Sequence, residues 1–451
     1  MLNHIATLKK EQLEKSDLIS VFTNGYKSET VMQEKRTGIE FEKLPVLNDS
    51  FKAAPYFQVK KFLESFKDEH WQGVFENDAL LGLKSENAVI SLEPGSQTEI
   101  SFNPITNLLD SQKLLTVYNK KTAQIANKFG IKWLGYGIQP VSTYGSINII
   151  PKKRYEYMTK YLPTVAKRPL VMMRETSGIQ ASFDYQNEQD AMTKFGFALK
   201  FSPIVSAMFA NSPVRNGRLT KFKSNRAASW LDTDNDRCGL VSPKAFSEDF
   251  TFEDYVQILL DVPMIFIERK IDGKKVFVKV ENRTFRQFLK EGYQGFCANM
   301  QDWETHLSLY FPDVRFKSYI EIRNHDNQRS DLICAVPALW KGLVYNQDAM
   351  DTAKDIVKQF TYFDFAYLRR KTPQYGLDMK IKGLKLADIA RELVNISYES
   401  LKSFGKGEEA LLEPLKTFTA KGLTPADIII DKWTNEWNGN IAKLVEYSEL
   451  K

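Results

Sequence analysis

The chain has 451 residues, 43% of them hydrophobic, and its 62 basic and 56 acidic side chains leave a net charge of +6. That length suits one large domain or two to three small ones, and that apolar content excludes a disordered chain. With no block of like charge, the mild basic excess fits binding of small anions and is only weak evidence for nucleic acid, and no apolar run reaches the length of a membrane span.

In chain order, Met1 to Ser20 carries Glu11, Glu14 and Asp17 among its lysines. It lacks a signal-peptide core and is too acidic for a transit peptide, so it reads as an amphipathic helix of a cytoplasmic protein. Gly38-Ile39-Glu40-Phe41-Glu42-Lys43 then reads as a strand with Glu40 and Glu42 on one face and Ile39 and Phe41 on the other. Helices are expected over residues 56–70 and 107–129, a strand over Ile131–Gly137, and a helix over Lys152–Tyr161 between Pro151 and Pro163. A further helix covers 187–210. Residues 211–250, rich in Asn, Ser, Asp, Arg and Gly, read as an ordered excursion able to cover a site. Val262–Arg269 and Lys275–Val280 flank the hairpin signal Asp272-Gly273, and from Asp348 onward the pattern is mostly helical. Strands and helices do not alternate in βαβ units, so the fold class is α+β around a largely antiparallel sheet.

The two-residue period of Glu40 and Glu42 recurs in three more stretches. Gln97, Glu99 and Ser101 share a face, as do Gln180, Ser182 and Asp184, and Tyr319, Glu321 and Arg323. If the four strands join one sheet, their polar faces converge into a carboxylate-rich cavity, the donor set of a hard cation such as Mg²⁺. Four separate sheets, each with one wet face, are the plainer alternative. Arg323 would point into the cavity or neutralise Glu321. Trp230, Trp303 and Trp340 are most simply core or rim aromatics.

Several motifs fail. Gly135-Tyr136-Gly137 ends in Pro140 where a dinucleotide turn needs Gly, and no GxxxxGK[ST] is present. Asp232, Asp234 and Asp236 open like a calcium loop, but Arg237 and Pro243 stand at its glycine and glutamate positions. Those acids either orient Arg226 and Arg237 or cap a turn. Cys238, Cys297 and Cys334 are far apart, and four scattered histidines give no zinc spacing, which points to free thiols in a reducing compartment.

Taken together, Gly38-Ile-Glu-Phe-Glu-Lys43, Ser91-Leu-Glu-Pro-Gly-Ser-Gln-Thr-Glu99, Leu134-Gly-Tyr-Gly-Ile-Gln-Pro140, Pro151-Lys-Lys-Arg-Tyr155, Phe209-Ala-Asn-Ser-Pro213, Trp230-Leu-Asp-Thr-Asp234, Tyr319-Ile-Glu-Ile-Arg323 and Gly422-Leu-Thr-Pro-Ala-Asp427 make the chain resemble glutamate–cysteine ligase of the plant and proteobacterial type. The resemblance runs from about residue 30 to the C-terminus. It implies a glutamine-synthetase-like catalytic fold, in which a curved antiparallel sheet forms a funnel with helices packed on its outer face. It implies one catalytic domain over 1–451, with a helical extension at 1–30 and a mainly helical part at 348–451. ATP-dependent joining of L-glutamate to L-cysteine is the implied reaction, with two or three Mg²⁺ ions. Another ATP-dependent ligase with a different amine acceptor would share the metal face. Glu40, Glu42, Glu93, Glu99, Glu321 and Gln180 are the implied metal ligands. Arg226, Trp230, Arg237 and Gln180 are implied for the amino-acid substrate, and Lys152, Arg154 and Arg323 for the nucleotide, with Arg323 and Arg226 catalytic. No nucleic acid or membrane partner is expected, and the oligomeric state expected is a monomer or weak homodimer. Plant members pair cysteines as a redox switch, but Val280 stands where one of them would lie, so no such switch is expected.

Overall fold

The computed structural model describes residues 13–271 and 274–451. The turn expected at Asp272-Gly273 and the first half of the expected N-terminal helix lie outside them. The four two-faced strands do join one sheet. Its strands are β1 (Thr37–Leu47), β2 (Gln72–Glu76), β3 (Ala79–Lys84), β4 (Ala88–Leu92), β5 (Thr98–Ile105), β6 (Ile131–Leu134), β7 (Gly178–Phe183), β8 (Val314–Phe316) and β9 (Ile320–Asp326). The order across the sheet is β8-β9-β7-β1-β5-β4-β3-β2, with β6 pairing the far end of β1. Every pairing is antiparallel. The eleven residues of β1 make it the central strand, bonded to β5 along Thr37–Lys43, to β7 along Thr37–Phe41 and to β6 along Leu44–Leu47.

One face of this sheet is sealed by helices. Ile39, Phe41, Ile100, Ile179, Ala181, Phe183, Ile320 and Ile322 are all buried on it. The helices over that face are α1 (Tyr56–Phe66), α2 (Leu108–Asn127), α3 (Glu188–Met208) and, further along the chain, Ala335–Val344. The starts of α2 and α3 are written in the sequence: Asn107 accepts from the Leu109 N–H and Asn187 from the Asp190 N–H. Burying a ring such as Phe41 is worth about 1.5–3 kcal/mol, so a one-residue slip of β1 would exchange that gain for buried carboxylates.

Four expectations need correction. The strand expected over Ile131–Gly137 ends at Leu134. A Cβ on Gly135 would lie 2.1 Å from the Gln328 carbonyl oxygen, and the Gly135, Gly137 and Gln139 N–H groups bond to Ser448, Asn211 and Glu175 rather than to a ladder. Ala335–Val344 is helical but was not expected, because all ten residues are buried and leave no polar face to mark a helical period. The described part of the N-terminal segment forms a helix over Lys15–Thr23, which runs past the expected end at Ser20. The two hairpin strands do pair, from Phe266–Lys279 to Ile271–Lys274, but the first begins at Phe266 and not at Val262. All three cysteines are free.

A helix over Met300–Ser308 carries a buried ionisable group, His306, whose Nε2 meets the Leu259 carbonyl oxygen at 2.8 Å. Burial pushes its pKa down to about 4 from 6.5. The unfolded chain therefore binds a proton near pH 6.5 that the folded chain refuses until about pH 4. The associated stability is intact above pH 6.5 and is lost as the pH falls toward 4, on the order of 3 kcal/mol. His306→Gln is expected to flatten the fall of thermal stability between pH 6.5 and 4. An unchanged slope in unfolding scans across that window would refute the assignment.

Candidate functional site

The other face of the sheet carries the acids, and the register decides how they meet. Glu42 stands directly opposite Glu99, and Glu40 stands opposite both Ser101 and Gln180. Like charges directly opposed across strands destabilise a sheet, so this face is not arranged for stability. Glu40, Glu42, Glu93 and Glu99 line a cavity of about 300 Å³ together with Gln180, Lys152, Arg154, Arg226, Trp230 and Arg323. Ten of the residues named from the sequence thus share one cavity.

The charges on its wall are unevenly balanced. Burial, then Glu40, Glu93 and Glu42, push the Glu99 carboxyl well above its usual range. Glu42 is pushed up to about 7 by burial and Glu93, against the pull of Arg226 and the Gly178 N–H. That N–H donates to Glu42 Oε2 at 2.6 Å. Burial and Glu321 raise Glu40, against Lys317, Arg323 and Arg315. These are carboxylates held close together with too little positive charge to satisfy them.

Glu321 behaves differently. It is fully buried, with Lys317 Nζ at 2.6 Å from Oε1, Arg323 Nη1 at 2.6 Å from Oε2, and Arg315 Nε donating to Oε2 as well. Burial alone would raise its pKa, but Arg315, Lys317 and Arg323 outweigh burial and hold it well below the usual carboxylate range. Glu321 lies behind the wall as the anchor of three cations that do face the cavity. Arg323 Nη1 also donates to Gln180 Oε1 at 2.8 Å, and Gln180 Nε2 donates to Glu99 Oε2 at 3.4 Å. Gln180 is therefore spent at both ends in linking the cationic side to the acidic side.

Arg226 is 5% exposed and projects from α4 (Asn225–Trp230), which Ser224 caps by accepting from the Ala227 N–H. Its Nη2 donates to the Arg323 carbonyl at 2.9 Å, where a register shift in β9 between Ile322 and His325 interrupts the ladder. Its Nε and Nη1, and the Trp230 Nε1, have no hydrogen-bond partner among the described residues although all three are buried. Such donors cost about 1–3 kcal/mol each when left unmet, which marks a place prepared for an anion. At the other end, Lys152 and Arg154 sit by Glu93, which accepts from the Tyr155 hydroxyl, and Arg154 Nη2 reaches Ser308 Oγ at 3.2 Å.

Arg237 is the one expected substrate residue the structure takes away. It is buried, paired to Asp234 at 2.5 Å and bonded to the carbonyls of Pro263 and Leu309, and it is absent from the cavity wall. The Asp-rich run orients that arginine rather than the substrate. Arg315 and Lys317 were passed over in the sequence. Their signal was two cations at alternate positions just before Glu321, the register of a tight hairpin onto it.

The donor set suits Mg²⁺, since the unbalanced groups are hard carboxylate oxygens. Among the described residues, no three acidic, His or Cys side chains converge enough to hold an ion by themselves. One or two carboxylates per ion, completed by water and phosphate oxygens, is the coordination Mg²⁺ prefers.

Comparison with known proteins shows the family. The family model described as glutamate-cysteine ligase family 2 matches residues 36–447. The chloroplastic glutamate–cysteine ligase of Brassica juncea is 34% identical over 97% of this chain and 84% of its own length. Its Arabidopsis thaliana counterpart is 33% identical over 98% and 84%. Among solved structures, a glutamate–cysteine ligase from Francisella tularensis in complex with AMP superposes with a TM-score of 0.52 at 14% identity, covering 92% of this chain and 87% of that one, and so shares the fold. The relatives also correct one expectation. Both are chloroplastic proteins, which contradicts the cytoplasmic location read from the acidic N-terminus.

Arg237→Ala would strand Asp234 as an unpaired buried charge, so a stability loss of about 3–5 kcal/mol is expected, with the glutamate KM of the folded fraction unchanged. A raised glutamate KM at an unmoved melting temperature would return Arg237 to the site.

Proposed function

The chain belongs to glutamate–cysteine ligase family 2, and from that premise we propose how the cavity performs the family's reaction. The enzyme joins L-glutamate to L-cysteine with hydrolysis of ATP to ADP and phosphate, giving γ-glutamylcysteine for glutathione biosynthesis. A carboxylate is a poor electrophile, so the glutamate γ-carboxylate is first phosphorylated, and the cysteine amine then displaces phosphate from the acyl phosphate. Glu40, Glu42, Glu93 and Glu99 would hold Mg²⁺, which would supply positive charge to the phosphoryl oxygens when bound.

The observation that carries the assignment of roles is the unspent pair of N–H groups on buried Arg226, beside the unspent Trp230 N–H. A substrate carboxylate of glutamate fills that position, and its reacting end then points along the acidic wall. Arg323, Arg315 and Lys317, drawn together by Glu321, stabilise charge on the transferring phosphoryl group from the opposite side. Gln180 keeps Arg323 oriented toward that group and ties it to Glu99. Lys152 and Arg154 close the Glu93 end, where they meet the phosphoryl group once it has been transferred. Among the described residues, none of His70, His306 and His325 lines the cavity.

A second cavity of about 210 Å³ shares Glu40 with the first and continues along β1 past Gly38, between Ser101, Phe102, Ser182 and Tyr319. It is the better-placed room for the nucleoside, because the phosphates then run past Glu40 toward Lys317 and Arg323. Ser182→Trp is expected to raise the KM for ATP about tenfold or more and to move the KM for glutamate by less than about twofold. Equal effects on both would place the nucleoside elsewhere.

Arg226→Ala removes a charge-assisted partner worth about 1.5–3 kcal/mol and is expected to raise the glutamate KM roughly ten- to a hundredfold, with the ATP KM much less affected. In the same assay, Glu40→Gln is expected to cut kcat by orders of magnitude at an unchanged melting temperature. An unaltered glutamate KM in the arginine variant would remove Arg226 from the site.

A further inference from the structure

Arg226 is a buried guanidinium with no carboxylate within ion-pair distance among the described residues, yet two acids lie near enough to act on it. Burial pulls its pKa down while Glu42 and Asp326 push it back up. Asp326, at the end of β9, is 1% exposed. Its position explains why it does not close onto the arginine. Oδ2 accepts from the Asn211 N–H at 2.9 Å and the Ser212 hydroxyl at 2.6 Å, and Oδ1 accepts from the Ser224 hydroxyl at 2.7 Å. Gly137 packs on the same carboxylate so closely that a Cβ there would lie 2.7 Å from Oδ2. Three neutral donors therefore occupy the carboxylate and leave its charge in place.

The same two hydroxyls lead back to the arginine. Ser212 Oγ accepts from the Arg226 N–H at 3.3 Å, and Ser224 Oγ accepts from the Ala227 N–H at 2.9 Å at the start of α4. On its far side the guanidinium lies against Gly178 of β7, where a Cβ would come 2.5 Å from Nη2. The arginine is thus held between a strand with no side chain and a helix start tied to Asp326.

We propose that Asp326 is the positioning residue of the glutamate clamp: it balances the charge of Arg226 from a distance without consuming its N–H groups, and through Ser212 and Ser224 it fixes the helix that carries Arg226 and Trp230. An acid paired directly to Arg226 would compete with the substrate carboxylate for the same fork of donors. No acid at all would leave a buried cation uncompensated. Neutral donors on Asp326 give the site the charge without the competition. This inference rests on Arg226 as the glutamate-binding residue.

The test is Asp326→Asn, which removes the charge and keeps the shape, made alone and together with Arg226→Ala. Alone, it is expected to raise the KM for glutamate about tenfold while the KM for ATP moves by less than about twofold. In the Arg226→Ala background it is expected to add no further rise, because the residue through which it acts is gone. Ser212→Ala is expected to shift the glutamate KM the same way by a smaller factor, and the same cycle with Ser212→Ala decides the matter if Asp326→Asn does not fold. An effect that persists undiminished in the Arg226→Ala background, or one that falls equally on ATP, overturns the inference. Arg226→Ala with an unchanged glutamate KM would instead overturn the reading of Arg226 itself, so the two failures are distinguishable.

Discussion

The row of carboxylates across the centre of the sheet is the constraint to which the rest of the site answers. Glu42 and Glu99 face each other across β1 and β5, with Glu40 and Glu93 close enough to raise the cost further. A sheet optimised for stability would place opposite charges or hydroxyls there. The apolar face, sealed by helices, is what tolerates the expense: Ile39, Phe41 and Ile100 are buried beneath the same residues that repel above. A register slip that relieved the repulsion would forfeit that burial. The acidic row is therefore locked in by packing on the other side of the strands that carry it.

Positive charge is supplied to this cavity in two different ways. On one side, Glu321 gathers Arg315, Lys317 and Arg323 around a single buried carboxylate and holds them at the wall. Three cations on one acid leave net positive charge facing the cavity, and Gln180 joins that cluster to Glu99. On the other side, Arg226 stands with unspent N–H groups. The first arrangement is a fixed field suited to phosphate oxygens. The second is a vacant fork suited to a carboxylate. The two meet at one peptide, since Arg226 bonds the carbonyl of Arg323 where β9 departs from regular pairing. The guanidinium of the one is thereby fixed to the backbone of the other.

The two faces of each strand, the gathering of acids and the α+β class were legible because side chains alternate along a strand whatever surrounds it. Asn107 and Asn187 cap their helices from within the local sequence, and the helices at 107–129 and 187–210 were readable to within a few residues for that reason. Tertiary contacts alone decided other points. Ala335–Val344 is buried on all sides and carries no period to read. Leu134 ends its strand because the Gln328 carbonyl lies against Gly135. Arg226 and Arg237, eleven positions apart in the same excursion, looked alike in sequence. They part company in space, because Asp234 lies within bonding reach of Arg237 while Asp326 is filled by serines before it can reach Arg226. Likewise Glu321 reads as one more acid of the metal face, and only the hairpin that lays Arg315 and Lys317 beside it makes it a counter-ion. By itself, then, the sequence determined which face of each strand carries the acids, since strand period is a local property. Which of those residues are already spent on partners and which remain free for substrate was decided by the tertiary structure, because a hydrogen bond depends on distances between segments that the chain order does not contain.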